Sequence, residues 1–190
     1  MEDELSPARL LHALSPLSED LIQQLDENWQ QEKQLNAYEF LVKKGQKESY
    51  LYFIKSGSIR IFYPDEAKEI CVGFGHPGEL ISSFPSFIKN LPSAFCIQAL
   101  RKTTLTRISR DKFFELLNAN YDLEKCWRIL LEQALIGRIE REAEMLNGNP
   151  EERINRLLQR SPHVFQNIPF KYIASYLGMT PETLSRKLNS

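Results

Sequence analysis

Between about Leu123 and Leu146 the chain holds an apolar repeat of helical period, unbroken until Asn147-Gly148-Asn149-Pro150. A helix of that span is roughly 36 Å long at 1.5 Å per residue. Trp127, Leu131, Leu135, Ile139, Ala143 and Leu146 form one stripe along it, and Leu130, Ala134 and Met145 partly fill a second. One stripe is enough to dock the helix on its own domain. The second needs another partner, and the same helix from a second copy is the simplest one. A single wide core-facing surface is the alternative. The break is specific too: Gly148 suits a helix C-terminus, Asn149 an N-cap and Pro150 a first helical position. A domain boundary is therefore expected at about residue 147, dividing the chain into 1–146 and 147–190.

Upstream of the long helix the period changes. Ser18 suits the N-cap of a short helix through Leu21, Ile22 and Leu25. From about Asn36 to Ile108 short runs rich in aromatic and β-branched residues follow one another. Tyr50–Lys55 and Ser58–Tyr63, joined through Ser56-Gly57, read as a hairpin. Glu69–Phe74, Phe95–Leu100 and Thr103–Ile108 add strands, and Pro77-Gly78, Pro85 and Pro92 punctuate the connections. Many short strands with Gly/Pro turns predict an antiparallel β-roll of jelly-roll type, whose enclosed interior has room for a ligand. Asp111 to Leu117 then reads as a short helix. The fold class is α+β.

Composition narrows the function. Hydrophobic residues make up 42% of the 190, charged residues 26%, and the net charge is −1, the balance of an ordinary globular chain. No apolar run approaches the ~18 to 20 residues needed to span a bilayer. Met1-Glu2-Asp3-Glu4 is acidic where a secretion signal would be basic, so a cytoplasmic protein without membrane contact is expected. Cys71, Cys96 and Cys126 are widely spaced and odd in number, as are His12, His76 and His163. Buried free thiols are the expectation, with no metal and no cofactor. An enzyme on a cupin-like roll would need clustered His and carboxylate ligands, and the strand region holds His76 alone.

The last twenty-odd residues carry the function. Pro169–Leu177 has a helical pattern with Ile173, Ala174 and Leu177 facing inward. A turn at Gly178-Met179-Thr180 stops it. Thr180 then suits an N-cap, Pro181 the first helical position, and Glu182–Leu188 a second helix. Helix, short glycine turn and helix predict a helix-turn-helix. Its second helix presents Thr180, Glu182, Thr183, Ser185, Arg186 and Lys187, side chains able to reach base edges and phosphates in a major groove. An ordinary polar helical hairpin is the plainer explanation of the spacing alone.

Ile173-Ala-Ser-Tyr-Leu-Gly-Met-Thr-Pro-Glu-Thr-Leu-Ser-Arg186 resembles the helix-turn-helix of the Crp/Fnr family. Gly45-Gln46, Leu51–Gly57, Glu66 with Lys68-Glu69, and Gly78-Glu79-Leu80 resemble that family's cyclic-nucleotide-binding roll, in order. The resemblance implies a sensor roll, a long dimerisation helix with Trp127, Leu130, Leu131, Ala134 and Leu135 in the dimer interface, and a DNA-binding domain. It implies that Arg186 reads a guanine and Glu182 a cytosine amino group. The implied partners are double-stranded DNA, a second copy of the chain, RNA polymerase and a small-molecule effector, with Gly78, Glu79, Leu80, Ser93 and Ala94 as ligand-binding candidates.

Two departures qualify this. Cyclic-AMP-binding members pair Gly-Glu-Leu with a later arginine that neutralises the cyclic phosphate; here that motif reads Pro92-Ser93-Ala94. Proline supplies neither charge nor backbone donor, and a buried uncompensated anion is expensive. The expected effector is therefore not cyclic AMP. Lys89 and Arg101 are the candidate substitutes for the missing charge. The family's cysteine-rich cluster site is also missing, which argues against an iron–sulfur sensor. Second, the sequence stops two residues after Leu188, where many members add a β-hairpin wing. The alternative reading is thus a ligand-binding sensor with a vestigial DNA-binding domain.

Overall fold

The computed structural model describes residues 5–65 and 68–188. Glu66 and the acidic residues 1–4 singled out above lie outside the described residues. The chain opens with helices α1 (Pro7–Leu14) and α2 (Glu19–Asn28). Ser18 Oγ accepts from the Leu21 N–H as its sequence position predicts.

Among the described residues, eight strands follow in two four-stranded antiparallel sheets. One has the order β1 (Gln31–Leu35), β8 (Thr103–Ser109), β3 (Tyr50–Ser56), β6 (Leu80–Ile81). The other runs β2 (Phe40–Val42), β7 (Cys96–Ala99), β4 (Ile59–Pro64), β5 (Glu69–Gly75). A short helix, α3 (Phe84–Lys89), interrupts the roll between β6 and β7.

The hairpin expected from Tyr50 to Tyr63 does not form. β3 pairs with β8 and β6, while β4 pairs with β5 and β7. The Ser56-Gly57 turn passes the chain from one sheet to the other instead. Gly57 has φ +99°, and a Cβ there would collide with Thr103; only glycine allows this crossing.

The roll interior is also not hollow. Leu35, Val42, Ile54, Ile59, Ile97 and Leu105 fill it. A second cluster packs Trp29, Phe53, Phe87, Phe113 and Trp127 where the N-terminal helices meet the roll. Cys71, Cys96 and Cys126 are buried free thiols, as expected.

Helix α4 (Arg110–Ala119) leads into the long α5 (Tyr121–Asn147). Gly148 ends α5, and Asn149 Oδ1 accepts from Glu152 N–H to start α6 (Pro150–Arg160). Three shorter helices follow among the described residues: α7 (His163–Asn167), α8 (Phe170–Tyr176) and α9 (Pro181–Leu188). They share a core of Ile154, Leu157, Val164, Ile168, Ile173 and Leu184 with α6. Leu100 and Phe74 of the roll also pack into that core, so the C-terminal helices are docked on the sheet.

Candidate nucleic-acid interface and ligand clefts

The angle between α8 and α9 is built from buried side chains. Ile173, Ala174 and Leu184 have no exposed surface and Leu177 almost none. Small Ala174 permits the close crossing, and its carbonyl accepts from Met179 N–H across the turn. Gly178 sits at φ +65°, where a Cβ would strike Met145. Two arginines then close the C-terminal end of α8. Arg153 donates to the Leu177 carbonyl at 2.6 Å and Arg141 to the Tyr176 carbonyl at 2.8 Å. Both meet the negative end of the helix dipole.

Thr180 caps α9 by accepting from Thr183 N–H at 3.3 Å. The Glu182 carboxyl lies below the usual carboxylate range, held first by its own backbone N–H and then by Thr180. Thr180, Glu182, Ser185 and Arg186 are exposed on α9, with Thr183 and Lys187 partly so. Lys187 donates to Glu151 at 3.1 Å. Several basic residues of the C-terminal helices are engaged within the protein: Arg153 in the turn, Arg156 and Arg160 beside Glu144 at 3.8 and 3.4 Å, Lys187 with Glu151. Arg186 projects from the exposed face.

The long helix divides sharply along its length. Leu123, Cys126 and Trp127 are buried against the protomer's own roll, and Trp127, only 7% exposed, meets Phe113 edge-to-face at 4.9 Å. Trp127 thus belongs to the protomer's core and has little surface to offer a second copy. Leu130 and Leu131 are half-buried and Ala134 is exposed. Leu135, Ile136, Ile139 and Leu146 stand 57–78% exposed.

Beside that face runs a groove of about 560 Å³ between α5 and the roll, floored by Leu51, Phe74 and Leu80 and walled by Leu130, Leu131 and Leu135. Its polar residues are Ser82, which donates to the Tyr50 carbonyl, and Arg138, which donates to Val72. The five ligand candidates do not converge on it. Leu80 lines the groove, whereas Glu79 faces a different cleft, of about 450 Å³, toward α7. Gly78 turns the chain at φ +89°. Ser93 is buried and bonded to Ser83 and Phe95, and Ala94 is exposed. Pro92 pairs with Lys47 on the surface. Of the two candidate substitute cations, Arg101 lines the Glu79 cleft and Lys89 is exposed at the end of α3.

Residues 32–120 match the family model of the cyclic nucleotide-binding domain. Over 188 residues the chain is 28% identical to the fumarate and nitrate reduction regulatory protein of Yersinia pestis, covering 90% of this chain and 73% of that protein. This match runs from the roll through the C-terminal helices. The chain thus carries a cyclic nucleotide-binding domain and, over most of its length, is similar to regulators of the Crp/Fnr type. Two solved structures share its fold: FixK2 from Bradyrhizobium japonicum (TM-score 0.71, 17% identity, 83% of this chain and 82% of that one) and a CooA mutant from Carboxydothermus hydrogenoformans (TM-score 0.71, 18% identity, 97% and 84%).

No motif in the sequence marks how the roll and the C-terminal helices are joined. The Arg60 guanidinium lies between the rings of Phe62 and Tyr172, 4.0 and 4.1 Å from their centroids. Ser175 Oγ accepts from Cys71 N–H and donates to the Glu69 carbonyl, both at 3.0 Å. Phe74 meets Tyr176 at 5.2 Å. Tyr172, Ser175 and Tyr176 recur at three and four on α8, beside the apolar stripe of Ile173 and Leu177. That second periodic face was the available signal. Among the described residues no helix is long and apolar enough to cross a membrane, and no group of three or more metal-ligating side chains occurs.

Proposed function

We propose that this chain is a sequence-specific, DNA-binding transcription regulator that works as a homodimer in the cytoplasm. The observation carrying this reading is α9. It is anchored by fully buried Leu184 and presents Glu182, Ser185 and Arg186 to solvent beyond a glycine turn. A capped helix with that face fits a major groove, Arg186 forking onto guanine O6 and N7 and Glu182 accepting from cytosine N4. Thr180, Thr183, Ser185 and Lys187 are assigned to flanking base and phosphate contacts. The relatives that match nearly the whole chain carry the names of regulatory proteins, which supports the same reading.

The exposed Leu135, Ile136 and Ile139 on α5 favour a second copy as partner. Two copies of α9 would then read a palindrome with half-sites about 34–36 Å apart, one helical turn. In this reading residues 1–146 sense a signal, residues 147–190 bind DNA, and RNA polymerase is the downstream partner. The effector is a small ligand other than cyclic AMP, because Pro92 leaves a cyclic phosphate without its counter-charge. No catalytic role is assigned. Selection of bound duplexes from a random library, with heparin as competitor, tests the reading. A palindromic consensus with conserved G·C pairs is expected, and recovery of unselected sequence would sink it.

A further inference from the structure

We propose that the cleft between the turns of the roll and α7 binds a small phosphorylated, polyhydroxylated metabolite. This deepens the effector part of the function proposed above, because such a ligand would fasten the C-terminal helices to the roll. The cleft, about 450 Å³, is open on three β-turns and one helix. Its volume falls in the range of small-ligand sites and is far larger than a bare phosphate needs. Lys55 comes from the end of β3, His76 and Glu79 from the β5–β6 turn, Arg101 from the β7–β8 turn, and His163 and Asn167 from α7.

Positive charge predominates there. Lys55 and Arg101 are permanent cations at neutral pH, and two imidazoles add donors. Arg101 uses a single terminal nitrogen for Asn167, at 2.7 Å to its carbonyl and 3.2 Å to its side chain. The second observation is His76. It is 9% exposed, and its Nε2 is buried with no hydrogen-bond partner, a costly state that a bound polar group would relieve. Its ring meets that of His163 edge-to-face at 4.3 Å. Burial first, then the charges of His163 and Arg101, hold the His76 imidazole down at about 4. An anion seated against the free nitrogen of the Arg101 guanidinium would also give the His76 Nε2 a partner.

Glu79 fixes the rest of the ligand. One of its oxygens accepts from the His76 backbone N–H at 2.9 Å, and a carboxylate has further acceptor sites. It would repel a phosphate placed beside it and welcome a hydroxyl. The phosphate therefore belongs on the Lys55 and Arg101 side and the hydroxyls toward Glu79. A nucleobase finds no stacking platform, because the two imidazoles are already packed on each other. A sugar phosphate satisfies these demands. Since the roll and α7 both contribute, the docked arrangement binds it better than a separated one, which is what an effector requires.

The test uses the full-length chain without DNA, so its outcome is independent of the operator reading. Glucose-6-phosphate and ribose-5-phosphate are titrated calorimetrically, with glucose, ribose, inorganic phosphate and cyclic AMP as comparisons. Saturable binding of at least one sugar phosphate is expected. It should weaken at least tenfold in Lys55→Gln and in His163→Ala, both checked for folding by circular dichroism. Amide exchange in α7 and α8 should slow on binding. No saturable heat at millimolar sugar phosphate overturns the proposal. So does binding that survives both substitutions, or inorganic phosphate binding as tightly as the sugar phosphates.

Discussion

Arg60, buried in the roll, places its guanidinium 4.1 Å from the ring centroid of Tyr172 on α8. The same guanidinium donates to Gln98 at 2.6 Å and pairs with Glu69 at 2.6 Å. A cation that is already satisfied within the sheet is thus also the seat for the first helix of the helix-turn-helix. Tyr172→Leu keeps the apolar volume but removes the ring face, and a desolvated cation–π contact is worth about 1–2 kcal/mol. The expected result is faster amide exchange in α8 with exchange in β3 and β8 unchanged. Equal acceleration in both would show that Tyr172 supports the whole fold rather than the docking.

Leu135→Asp tests the dimer. Leu135 is 61% exposed and lies outside the aromatic cluster that holds α5 to the roll, so the protomer should stay folded. Sedimentation should show the wild type as a dimer at micromolar concentration and the variant as a monomer, with tight operator binding lost. A monomeric wild type would refute the assignment of this face.

Arg186→Ala should cost about 1–3 kcal/mol at the specific site and relax the preference at one base pair. Lys187→Ala should weaken all sequences alike and reduce the salt slope by about one. Lys187 must first leave Glu151, so Glu151→Gln is expected to strengthen binding to any duplex. Equal losses on specific and random DNA for both lysine and arginine variants would remove the base contact from Arg186.

Cyclic AMP and cyclic GMP should leave the protein unchanged. A ligand that binds only the folded state adds about 2.7 kcal/mol at a hundred times its dissociation constant, which a thermal melt registers as several degrees. The absence of any shift at millimolar nucleotide is expected, since Ser82 and the already engaged Arg138 are the polar groups of the groove on α5. A shift abolished by Arg138→Ala would show that this arginine replaces the missing one.

Two buried groups set opposite pH dependences. Burial raises the Glu48 carboxyl from 4.5 to about 7, against the Tyr50 N–H that lowers it. The folded protein then holds a proton that the unfolded chain has lost. Stability therefore falls as pH rises from 4.5 to about 7. His76 is lowered from 6.5 to about 4, so the unfolded chain takes up the proton first and stability falls as pH drops from 6.5 to about 4. Each shift is equivalent to about 3 kcal/mol at full extent. Between 4.5 and 6.5 the two slopes oppose each other. Glu48→Gln removes the first, so its melting temperature relative to wild type should climb between pH 4.5 and 7 and then level off. A constant offset across that range would show that Glu48 is ionised throughout.

Local chemistry in the sequence was legible wherever local chemistry decides the outcome. Gly148, Asn149 and Pro150 stand at the positions their types predict, and Thr180 caps α9. The β3–β4 connection was not legible, although Ser56-Gly57 is a good turn. Both strands are buried on both faces over most of their length, so no alternation marks which sheet each one joins. β1 reads Gln-Glu-Lys-Gln-Leu and owes its strand conformation to pairing with β8. The contacts that dock α8 were hidden by distance along the chain, since Cys71 and Ser175 are 104 residues apart. For the candidate site, the polar face of α9 followed from spacing. Glu79 and Leu80 part into two clefts where the β5–β6 turn passes into the strand β6, a change of direction that no motif specifies.

Ser175 gives the docking of α8 a further consequence. β5 is the outer strand of its sheet, and the Ser175 hydroxyl occupies the Cys71 N–H and the Glu69 carbonyl along its free side. An outer strand with vacant main-chain groups invites another strand to add to it. Any rearrangement that lifts α8 from the roll uncovers that rim, with exposed Ile70 beside it. Solubility and conformational state are coupled in this molecule: the arrangement in which the C-terminal helices stay seated is also the one protected against strand-to-strand aggregation.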